Sequence, residues 1–313
     1  MSERIPEQKV DGTDKSSRKP GQSAKRQLQE TTRPLLEVDG LSAWYGRRQI
    51  LENLSFSMRS GDFICLSGPN GCGKSTLMSV LAGLGRYNLQ TTGSIKLAGD
   101  NLNQLKSKQR AKLISYMSQS ETSLWNFTVE EVILTGRYCH TGFTGIYSQR
   151  DRDIAHQAAN QLQLNHLLNR RIHSLSGGEF QRVRIARSFC QQPKVLLLDE
   201  PAANLDLALR HDLLHATKEL AQQQGTAVLM SIHDINLAAA FAQKLALLRP
   251  LHPATTSALY PEALPVPHST SQLVLGSPQE VMTAENLRHT YGCNFSLFTH
   301  PIHGHPAVWV QGD

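Results

Sequence analysis

Apolar and polar residues alternate in two early segments of the chain, residues 35–41 and 50–58. Such alternation is typical of strands with one buried face, and the two segments predict a pair of outer strands. A short continuous apolar run at 63–67 predicts a buried strand. It leads into a glycine-rich loop and then into residues 75–84, whose apolar spacing favours a helix.

The second half of the chain alternates in the same way between buried strand and helix. Residues 195–198 and 227–232 are compact apolar runs that predict strands. The apolar residues between them have the spacing of one helix face: Leu209, Leu213, Ala216 and Leu220. Alternation of strand, helix and strand predicts a mostly parallel α/β sheet.

Two further segments interrupt this pattern. Apolar spacing at 129–134 and 154–168 predicts helices, and with them an inserted helical subdomain at about 120–190. Residues 250–267 hold five prolines, which cannot continue a helix or a strand ladder. We therefore expect a surface loop there, within a proline-rich insertion at about 250–272.

Composition excludes several classes of protein. The chain has 313 residues and is 40% hydrophobic and 19% charged, a globular balance, and its apolar runs are too short to span a bilayer. Five cysteines without a CxxC pair argue against a disulfide framework and for a reducing, cytoplasmic setting. Residues 1–34 lack the apolar core of a secretory signal.

The positive charge is concentrated at the amino-terminal end. The formal net charge is +6, and residues 1–34 carry eight Lys or Arg against five Asp or Glu, so that this segment supplies half of the excess. Its polar composition predicts a disordered basic tail rather than a contact with nucleic acid or anionic lipid. We expect no nucleic-acid partner.

The strongest chemical signal is the phosphate-loop pattern GxxxxGK[ST], placed after a predicted strand and before a predicted helix. Its glycines let backbone N–H groups turn toward phosphate, the lysine reaches the β and γ oxygens, and the first hydroxyl after it is a Mg²⁺ ligand. The pattern comprises Gly68, Pro69, Asn70, Gly71, Cys72, Gly73, Lys74, Ser75 and Thr76.

Two acidic residues follow the apolar run at 195–198. A carboxylate at the end of a strand that neighbours the phosphate loop can hold the metal, and a second one can activate water. Asp199 is therefore predicted to contact Mg²⁺ through water, and Glu200 to act as the general base.

The segment Leu-Ser-Gly-Gly-Glu at 175–179 precedes an evident helix. Ser176, Gly177 and Gly178 offer a hydroxyl and unobstructed N–H groups at a positive helix end, which predicts a second anion site. A serine that caps the helix, followed by flexible glycines, is the alternative interpretation.

In this order, the phosphate loop, LSGGE, LLLDE and a histidine after the next strand resemble the nucleotide-binding subunits of ABC transporters. The similarity covers about residues 35–249 and 273–298. It implies one ABC ATPase domain over 35–313, with a P-loop NTPase core, an antiparallel β subdomain and an inserted helical subdomain. In that family two such domains pack head to tail, and the LSGG segment of one caps ATP held by the other, so the resemblance implies a homodimer or a paired ABC subunit.

Four further positions are matched through the resemblance alone. Tyr45 corresponds to the aromatic residue that stacks on adenine, and an exposed strand tyrosine is the alternative. Gln119 corresponds to the glutamine that reaches Mg²⁺ and the attacking water, with Ser118 where proline is usual. Asp206 belongs to the loop that communicates across the dimer, and His233 to the switch histidine that contacts the γ-phosphate.

The resemblance also implies the partners. ATP and Mg²⁺ are the expected cofactors, Lys74 and Ser176 neutralise phosphate charge, and Glu200 and His233 activate water. ATP hydrolysis is expected to drive an integral membrane permease. A periplasmic or extracellular substrate-binding protein is an indirect partner. The chain itself is expected to lie peripherally on the cytoplasmic face of the cell (inner) membrane.

Residues 128–140 and 276–292 are similar to segments of importers for iron–siderophore, haem or cobalamin substrates, with Cys139 in place of a usual proline. We therefore expect an importer of this type, whose permease docks near residues 119–140. Two alternatives are a soluble ABC ATPase that acts on nucleic acid or ribosomes, and an exporter ATPase. A single phosphate loop without a coiled-coil insertion disfavours the first, and the two matched segments disfavour the second.

Overall fold

Ten strands hydrogen-bond into one sheet among the residues that the structure describes. The structure, a computed structural model, describes residues 33–85, 88–121, 126–251 and 270–311. The strands are β1 (Leu36–Tyr45), β2 (Arg48–Met58), β3 (Phe63–Ser67), β4 (Leu89–Leu97), β5 (Asp100–Asn101), β6 (Ile114–Met117), β7 (Val195–Asp199), β8 (Ala227–Ser231), β9 (Lys244–Pro250) and β10 (Ser271–Gly276). Their order across the sheet is β5-β4-β1-β2-β10-β9-β3-β8-β7-β6.

Helices cover the sheet and connect its strands. The α-helices are α1 (Lys74–Leu81), α2 (Ser107–Leu113), α3 (Val129–Leu134), α4 (Gln149–Gln161), α5 (Gly177–Cys190), α6 (Leu207–Gln224), α7 (Ile235–Phe241), α8 (Pro278–Val281) and α9 (Ala284–Tyr291). A separate two-stranded sheet, β11 (Phe295–Thr299) and β12 (Pro306–Val310), follows α9. The sequence pattern did not predict this hairpin.

The parallel half of the sheet is formed by β9, β3, β8, β7 and β6, each parallel to its neighbours in this group. Every residue of β3, β7 and β8 is buried. Such strands are continuous apolar runs because helices cover both faces of the sheet. The predicted mostly parallel α/β sheet, with the architecture of a P-loop NTPase core, is confirmed.

Alternate side chains of these strands enter two different cores. Phe63 and Cys65 belong to a cluster with residues of α4, α5, α6 and α7. Ile64 and Leu66 belong to a second cluster with residues of α1 and the antiparallel strands. The helix that follows the phosphate loop therefore packs on the opposite face of the sheet from the three longest helices.

The antiparallel half is formed by β5, β4, β1 and β2. The predicted pair of strands corresponds to β1 and β2, which do pair with each other. Their predicted outer position was wrong, because β4 and β5 lie beyond β1 and β10 lies beyond β2. Strand β10 connects the two halves, since it runs antiparallel to β9 and meets β2 through one parallel pair, Ser271 with Leu51.

Several predicted boundaries were wrong. Helix α1 ends at Leu81 rather than at residue 84, because Gly83 adopts a left-handed φ of 67°. Helix α4 begins at Gln149, where Ser148 caps it, and ends before Gln163, whose φ is 59°; the expected range was 154–168. Both helices stop where the backbone leaves right-handed space.

The predicted proline-rich loop is also shorter at its edges. Pro250 is the last residue of β9, and β10 begins at Ser271. Proline is tolerated at a strand end, where no further ladder bond needs its missing N–H. Residues 252–269 of the expected insertion and residues 1–32 of the expected tail lie outside the described residues.

Helices α3, α4 and α5 lie in the region predicted as a helical subdomain, in which residues 122–125 are outside the described ranges. A buried ion pair joins them. Arg137 Nε donates to Asp151 Oδ1 at 3.0 Å, and Arg137 Nη1 donates to the carbonyl of Cys190 at 2.9 Å and to Gln192 Oε1 at 3.0 Å. One guanidinium thus connects the turn after α3 with the start of α4 and the end of α5.

A close backbone approach holds the same turn against α5. A Cβ atom on Gly136 would lie 2.3 Å from the carbonyl oxygen of Arg187. Only glycine fits at this position, and the neighbouring Arg137 is thereby brought within reach of its partners. In the described part of the chain, none of the helices is both long enough and apolar enough to cross a membrane.

Replacing Arg137 with methionine is expected to lower the free energy of unfolding by about 3 kcal/mol, because it leaves the Asp151 carboxylate buried without its cation. Urea denaturation followed by circular dichroism measures the change. The matched control is Arg152→Met, which replaces an exposed arginine of α4, the helix that contains Asp151, and which we expect to cost less than about 0.5 kcal/mol. Equal losses of unfolding free energy in the two variants would contradict a stabilising role for the buried Arg137–Asp151 ion pair.

The same site predicts a pH dependence. A hydrogen bond from the Ser148 hydroxyl, the Ser148 N–H and the Arg137 guanidinium together lower the pKa of Asp151 from 3.8 to about 2. A carboxyl whose folded-state pKa is lowered stabilises the fold above its unfolded pKa, and that stabilisation disappears as the pH falls through the folded pKa. The unfolding free energy should therefore decrease between pH 3.8 and about 2, and Arg137→Met should narrow that window.

Candidate functional site

The loop between β3 and α1 has the backbone geometry of an anion cradle. Gly71 and Gly73 adopt left-handed φ values of 77° and 104°, and Gly73 immediately precedes the first residue of α1. A Cβ atom on Gly73 would lie 2.8 Å from Ile50 Cγ2, whereas one on Gly71 would meet nothing within 4 Å. The loop is thus packed against β2 on one side and open on the other, where a phosphate can approach.

Lys74 is buried with its ammonium group folded over this loop. Its Nζ donates to the carbonyls of Gly68 at 2.8 Å and Pro69 at 3.0 Å. Both acceptors are neutral, so the buried cation is satisfied by dipoles and an anion in the cradle would supply the missing charge.

The other side chains of the loop divide between core and cleft. The Cys72 thiol is buried in the core beneath the loop, and burial raises its pKa. Cys72 therefore contributes only its backbone to the predicted site. Ser75 and Thr76, in the first turn of α1, line the cleft together with Asn70.

A cleft of about 490 Å³ brings most of the predicted residues together. The loop forms one wall. Tyr45, at the end of β1, lines the cleft, and Gln119, Glu200 and His233 line it from the ends of other strands. Arg48 and Ile50 also line it, and the sequence patterns predicted neither. The signal for them is their position three and five residues beyond Tyr45, across the β1–β2 turn.

Glu200 is the centre of the hydrogen-bond network at this cleft. Its Oε1 lies 2.5 Å from His233 Nε2, and its Oε2 accepts a hydrogen bond from Gln119 Nε2 at 2.6 Å. The Glu200 side chain is 8% exposed and that of His233 is 46% exposed. Glu200 also has a φ of 51°, in the left-handed region that non-glycine residues seldom occupy. The carboxylate is thus held by two side chains at the edge of the cleft.

Asp199, one residue earlier, is buried at the end of β7. Its Oδ1 accepts a hydrogen bond from the Ser231 hydroxyl at 2.7 Å. The described contacts leave the second oxygen of Asp199 for another partner. Magnesium prefers oxygen ligands, and Ser75, Gln119 and Asp199 offer a hydroxyl, an amide oxygen and a carboxylate. Because Gln119 uses its amide nitrogen to reach Glu200, its amide oxygen stays available. Ser75 and Gln119 line the cleft, whereas Asp199 lies behind its lining residues, so oxygen donors of these types fit an ion that Asp199 reaches through water.

The LSGGE segment forms the start of α5 and does not line this cleft. Ser176 caps the helix and accepts a hydrogen bond from the Glu179 N–H at 3.3 Å, while Glu179 Oε2 accepts from the Ser176 N–H at 2.7 Å. The helix-capping alternative is therefore present in the structure. It does not exclude an anion, because the Ser176 hydroxyl accepts in this bond and can still donate its proton.

Gly177 and Gly178 differ in their surroundings. A Cβ atom on Gly177 would meet nothing within 4 Å, and one on Gly178 would lie 3.3 Å from Leu209 Cδ1 of α6. Asp206 caps α6, where its Oδ1 accepts from the Leu209 N–H at 2.9 Å. Asp206, like the LSGGE segment, lies outside the residues that line the cleft.

Comparison with known proteins identifies the family. The family model described as ABC transporter matches residues 51–203. The chain is 35% identical to the hemin import ATP-binding protein HmuV of Gloeobacter violaceus over 285 residues, which cover 89% of this chain and 94% of that protein. It is 30% identical to the ferric enterobactin transport ATP-binding protein FepC of Escherichia coli, covering 88% and 94% of the two chains.

The chain belongs to the ATP-binding subunits of ABC transporters. A solved structure of a metal-chelate type ABC transporter in an inward-facing conformation resembles it with a TM-score of 0.71, at 27% identity, covering 90% of this chain and 98% of that one. The predicted family and fold are confirmed, and with them an ATPase whose hydrolysis of ATP is coupled to transport.

Replacing Lys74 with alanine is expected to raise the dissociation constant for ATP at least tenfold, about 1.4 kcal/mol, because it removes the cation of the cradle. Isothermal titration calorimetry measures this. Lys96→Ala, an exposed lysine of β4, is the matched control and should bind ATP as the wild type does. Unchanged affinity in Lys74→Ala would contradict the site.

Proposed function

We propose that this chain is the ATPase of a membrane importer whose cargo is an iron–siderophore, haem or cobalamin-type compound. The observation that carries the proposal is the convergence of the phosphate loop, Gln119, Glu200 and His233 on one cleft. It occurs in a chain that is 30% to 35% identical, over 88% to 89% of its length, to relatives named for hemin import and ferric enterobactin transport.

Nucleotide binding is divided among the walls of the cleft in this proposal. The adenine stacks on Tyr45, the phosphates lie on the amides of the loop, and Lys74 reaches the β and γ oxygens. Ser75 and Gln119 would hold Mg²⁺ directly and Asp199 would hold it through water, and the ion would supply positive charge beside the phosphates.

Hydrolysis requires a water molecule in line with the γ-phosphorus. Its oxygen bonds to phosphorus as the bond from phosphorus to the β,γ-bridging oxygen breaks, and the water proton passes to Glu200. The 2.5 Å contact to His233 and the 2.6 Å hydrogen bond from Gln119 orient that carboxylate. His233 then lies near the γ-phosphate and can respond to its departure.

Two copies of the nucleotide-binding fold form the proposed catalytic unit. Ser176, Gly177 and Gly178 lie outside the cleft of their own chain, and their positive helix end is suited to phosphate. In a head-to-tail pair they would cap ATP held by the other subunit, with Asp206 near the interface. The pair is a homodimer or this chain with a related ABC subunit.

Permease docking is proposed for residues 119–140 and the turn that follows them, where two aromatic side chains are exposed. Tyr138 is 70% exposed in the turn after α3, and Phe143 is fully exposed five residues later. Such exposed aromatic side chains are typical of interface anchors. The permease would hold the chain peripherally at the cytoplasmic face of the membrane, with a substrate-binding protein on the far side. Residues 122–125 of the docking segment lie outside the described residues.

Glu200→Gln tests the hydrolytic role. Glutamine keeps the shape and a hydrogen-bonding oxygen but cannot accept the proton, so we expect kcat to fall at least about 100-fold with ATP affinity within about threefold of wild type. The variant should also accumulate an ATP-bound dimer in size-exclusion chromatography. Glu219→Gln, on the exposed surface of α6, is the matched control. Rapid turnover by Glu200→Gln would remove Glu200 from its role.

Affinity purification from native membranes with mass spectrometry tests the importer. We expect a polytopic permease of the iron-chelate or cobalamin class to co-purify with the wild-type chain. Tyr138→Ser together with Phe143→Ser should release it without loss of ATPase activity. Trp309→Ser, an equally exposed aromatic residue of β12, is the control and should retain it.

Two other outcomes of this co-purification would each favour one of the alternative functions. Ribosomal or nucleic-acid-bound proteins without a permease would favour a soluble ABC ATPase. A permease of exporter type would favour an exporter ATPase.

A further inference from the structure

A buried serine hydroxyl connects the two acidic residues of the site. Strands β7 and β8 are parallel neighbours, and their last residues, Asp199 and Ser231, are paired in register. Ser231 is fully buried. The serine is therefore placed beside the strand end from which Glu200 emerges.

The hydroxyl makes one hydrogen bond in each direction. The N–H of Glu200 donates to Ser231 Oγ at 2.8 Å, and Ser231 Oγ donates to Asp199 Oδ1 at 2.7 Å. The direction is fixed, because an amide can only donate and an ionised carboxylate can only accept. The two bonds form a short chain in which each polarises the other.

This pair of hydrogen bonds constrains both Asp199 and Glu200. At the Asp199 end it occupies one carboxylate oxygen and leaves the other for the water through which Asp199 would contact Mg²⁺. At the Glu200 end it anchors the peptide nitrogen of a residue that is held in left-handed backbone space, with φ at 51°. Conformations of this kind persist only where the surroundings hold them. Glu200 is thereby fixed at its backbone by Ser231 and at its carboxylate by His233 and Gln119.

The segment after Ser231 is fixed as well. The N–H of Ile232 donates to the carbonyl of Leu66 at 3.0 Å, on the strand that enters the phosphate loop. His233 follows directly. Ser231 therefore lies at the start of the segment that leads to His233 and next to the end of β7, where Asp199 and Glu200 lie.

We propose that Ser231 is a positioning residue for ATP hydrolysis, whose hydroxyl sets the Glu200 backbone for proton transfer and orients Asp199 toward Mg²⁺. The inference rests on the proposed roles of those two acids. If Ser231 has this role, its hydroxyl contributes more to the turnover rate than to the affinity for nucleotide.

The test compares steady-state ATP hydrolysis by the purified full-length chain and three variants of this position. Ser231→Ala removes the hydroxyl, whereas Ser231→Thr and Ser231→Val are isosteric and differ only in having it or not. For Ser231→Ala we expect kcat to fall at least about tenfold with KM for ATP within about threefold of wild type. The Mg²⁺ concentration for half-maximal activity should rise, and Ser231→Thr should retain most of kcat while Ser231→Val does not.

The matched control removes a buried hydroxyl from the opposite end of the same pair of strands. Thr226 precedes β8 and donates to the carbonyl of Pro193 at 3.2 Å, far from the carboxyl ends of the strands. Thr226→Val should lower the thermal unfolding midpoint much as Ser231→Ala does, yet keep the wild-type kcat. All rates are measured well below the unfolding midpoints.

A kcat for Ser231→Ala within about twofold of wild type would overturn the inference. So would equal kcat values for Ser231→Thr and Ser231→Val, or an equal loss in Thr226→Val. Glu200→Gln, assayed in parallel, distinguishes failure of the inference about Ser231 from failure of the proposed function. If Glu200→Gln turns over freely, the role of Glu200 is wrong; if it is inactive while Ser231→Ala is not, only the inference about Ser231 is wrong.

Discussion

The register of the parallel strands is the constraint on which the site depends. Leu66 pairs with Ser231, and Ser231 pairs with Asp199, so β3, β8 and β7 end side by side. Met117 of β6 pairs with Leu198, one residue earlier. Each strand is followed at this edge by one part of the site: the phosphate loop, His233, Glu200 and Gln119. A one-residue slip would exchange the two core faces of a strand, so burial of alternate apolar side chains holds the site together.

Much of this architecture could be predicted because its signals are local. The apolar runs predicted β3, β7 and β8, and the phosphate loop carries its own glycines, lysine and hydroxyls within nine residues. Because carboxyl ends of parallel strands share an edge, the motifs after those strands could be expected to meet. Tyr45, Gln119 and His233 needed the family resemblance, since single residues of these types carry little signal alone.

The remaining features depend on contacts between distant parts of the chain. Ser231 meets Asp199 across 32 positions of sequence, and a serine that ends an apolar strand looks like any other polar terminus. Strand β10 meets the antiparallel half through the pair Ser271 and Leu51. No local sequence pattern predicts this pairing. The start of α4 at Gln149 does have a local signal, the cap at Ser148 with Asp151 three residues later, whereas the apolar spacing alone predicts a later start.

The network around Glu200 also reaches the second half of α5 through charge. Glu121 accepts hydrogen bonds from Arg187 at 2.6 and 2.7 Å and from Arg184 at 3.2 Å, and these bonds lower the pKa of Glu121. The segment that carries Gln119 is thus clamped to the helix that begins with the LSGG sequence. Because Gln119 in turn holds Glu200, neither the helix nor the loop can shift alone without breaking one of these bonds. The Glu200 carboxylate at the cleft and the helix that begins with the LSGG segment, the proposed second phosphate site, are therefore mechanically connected within one chain.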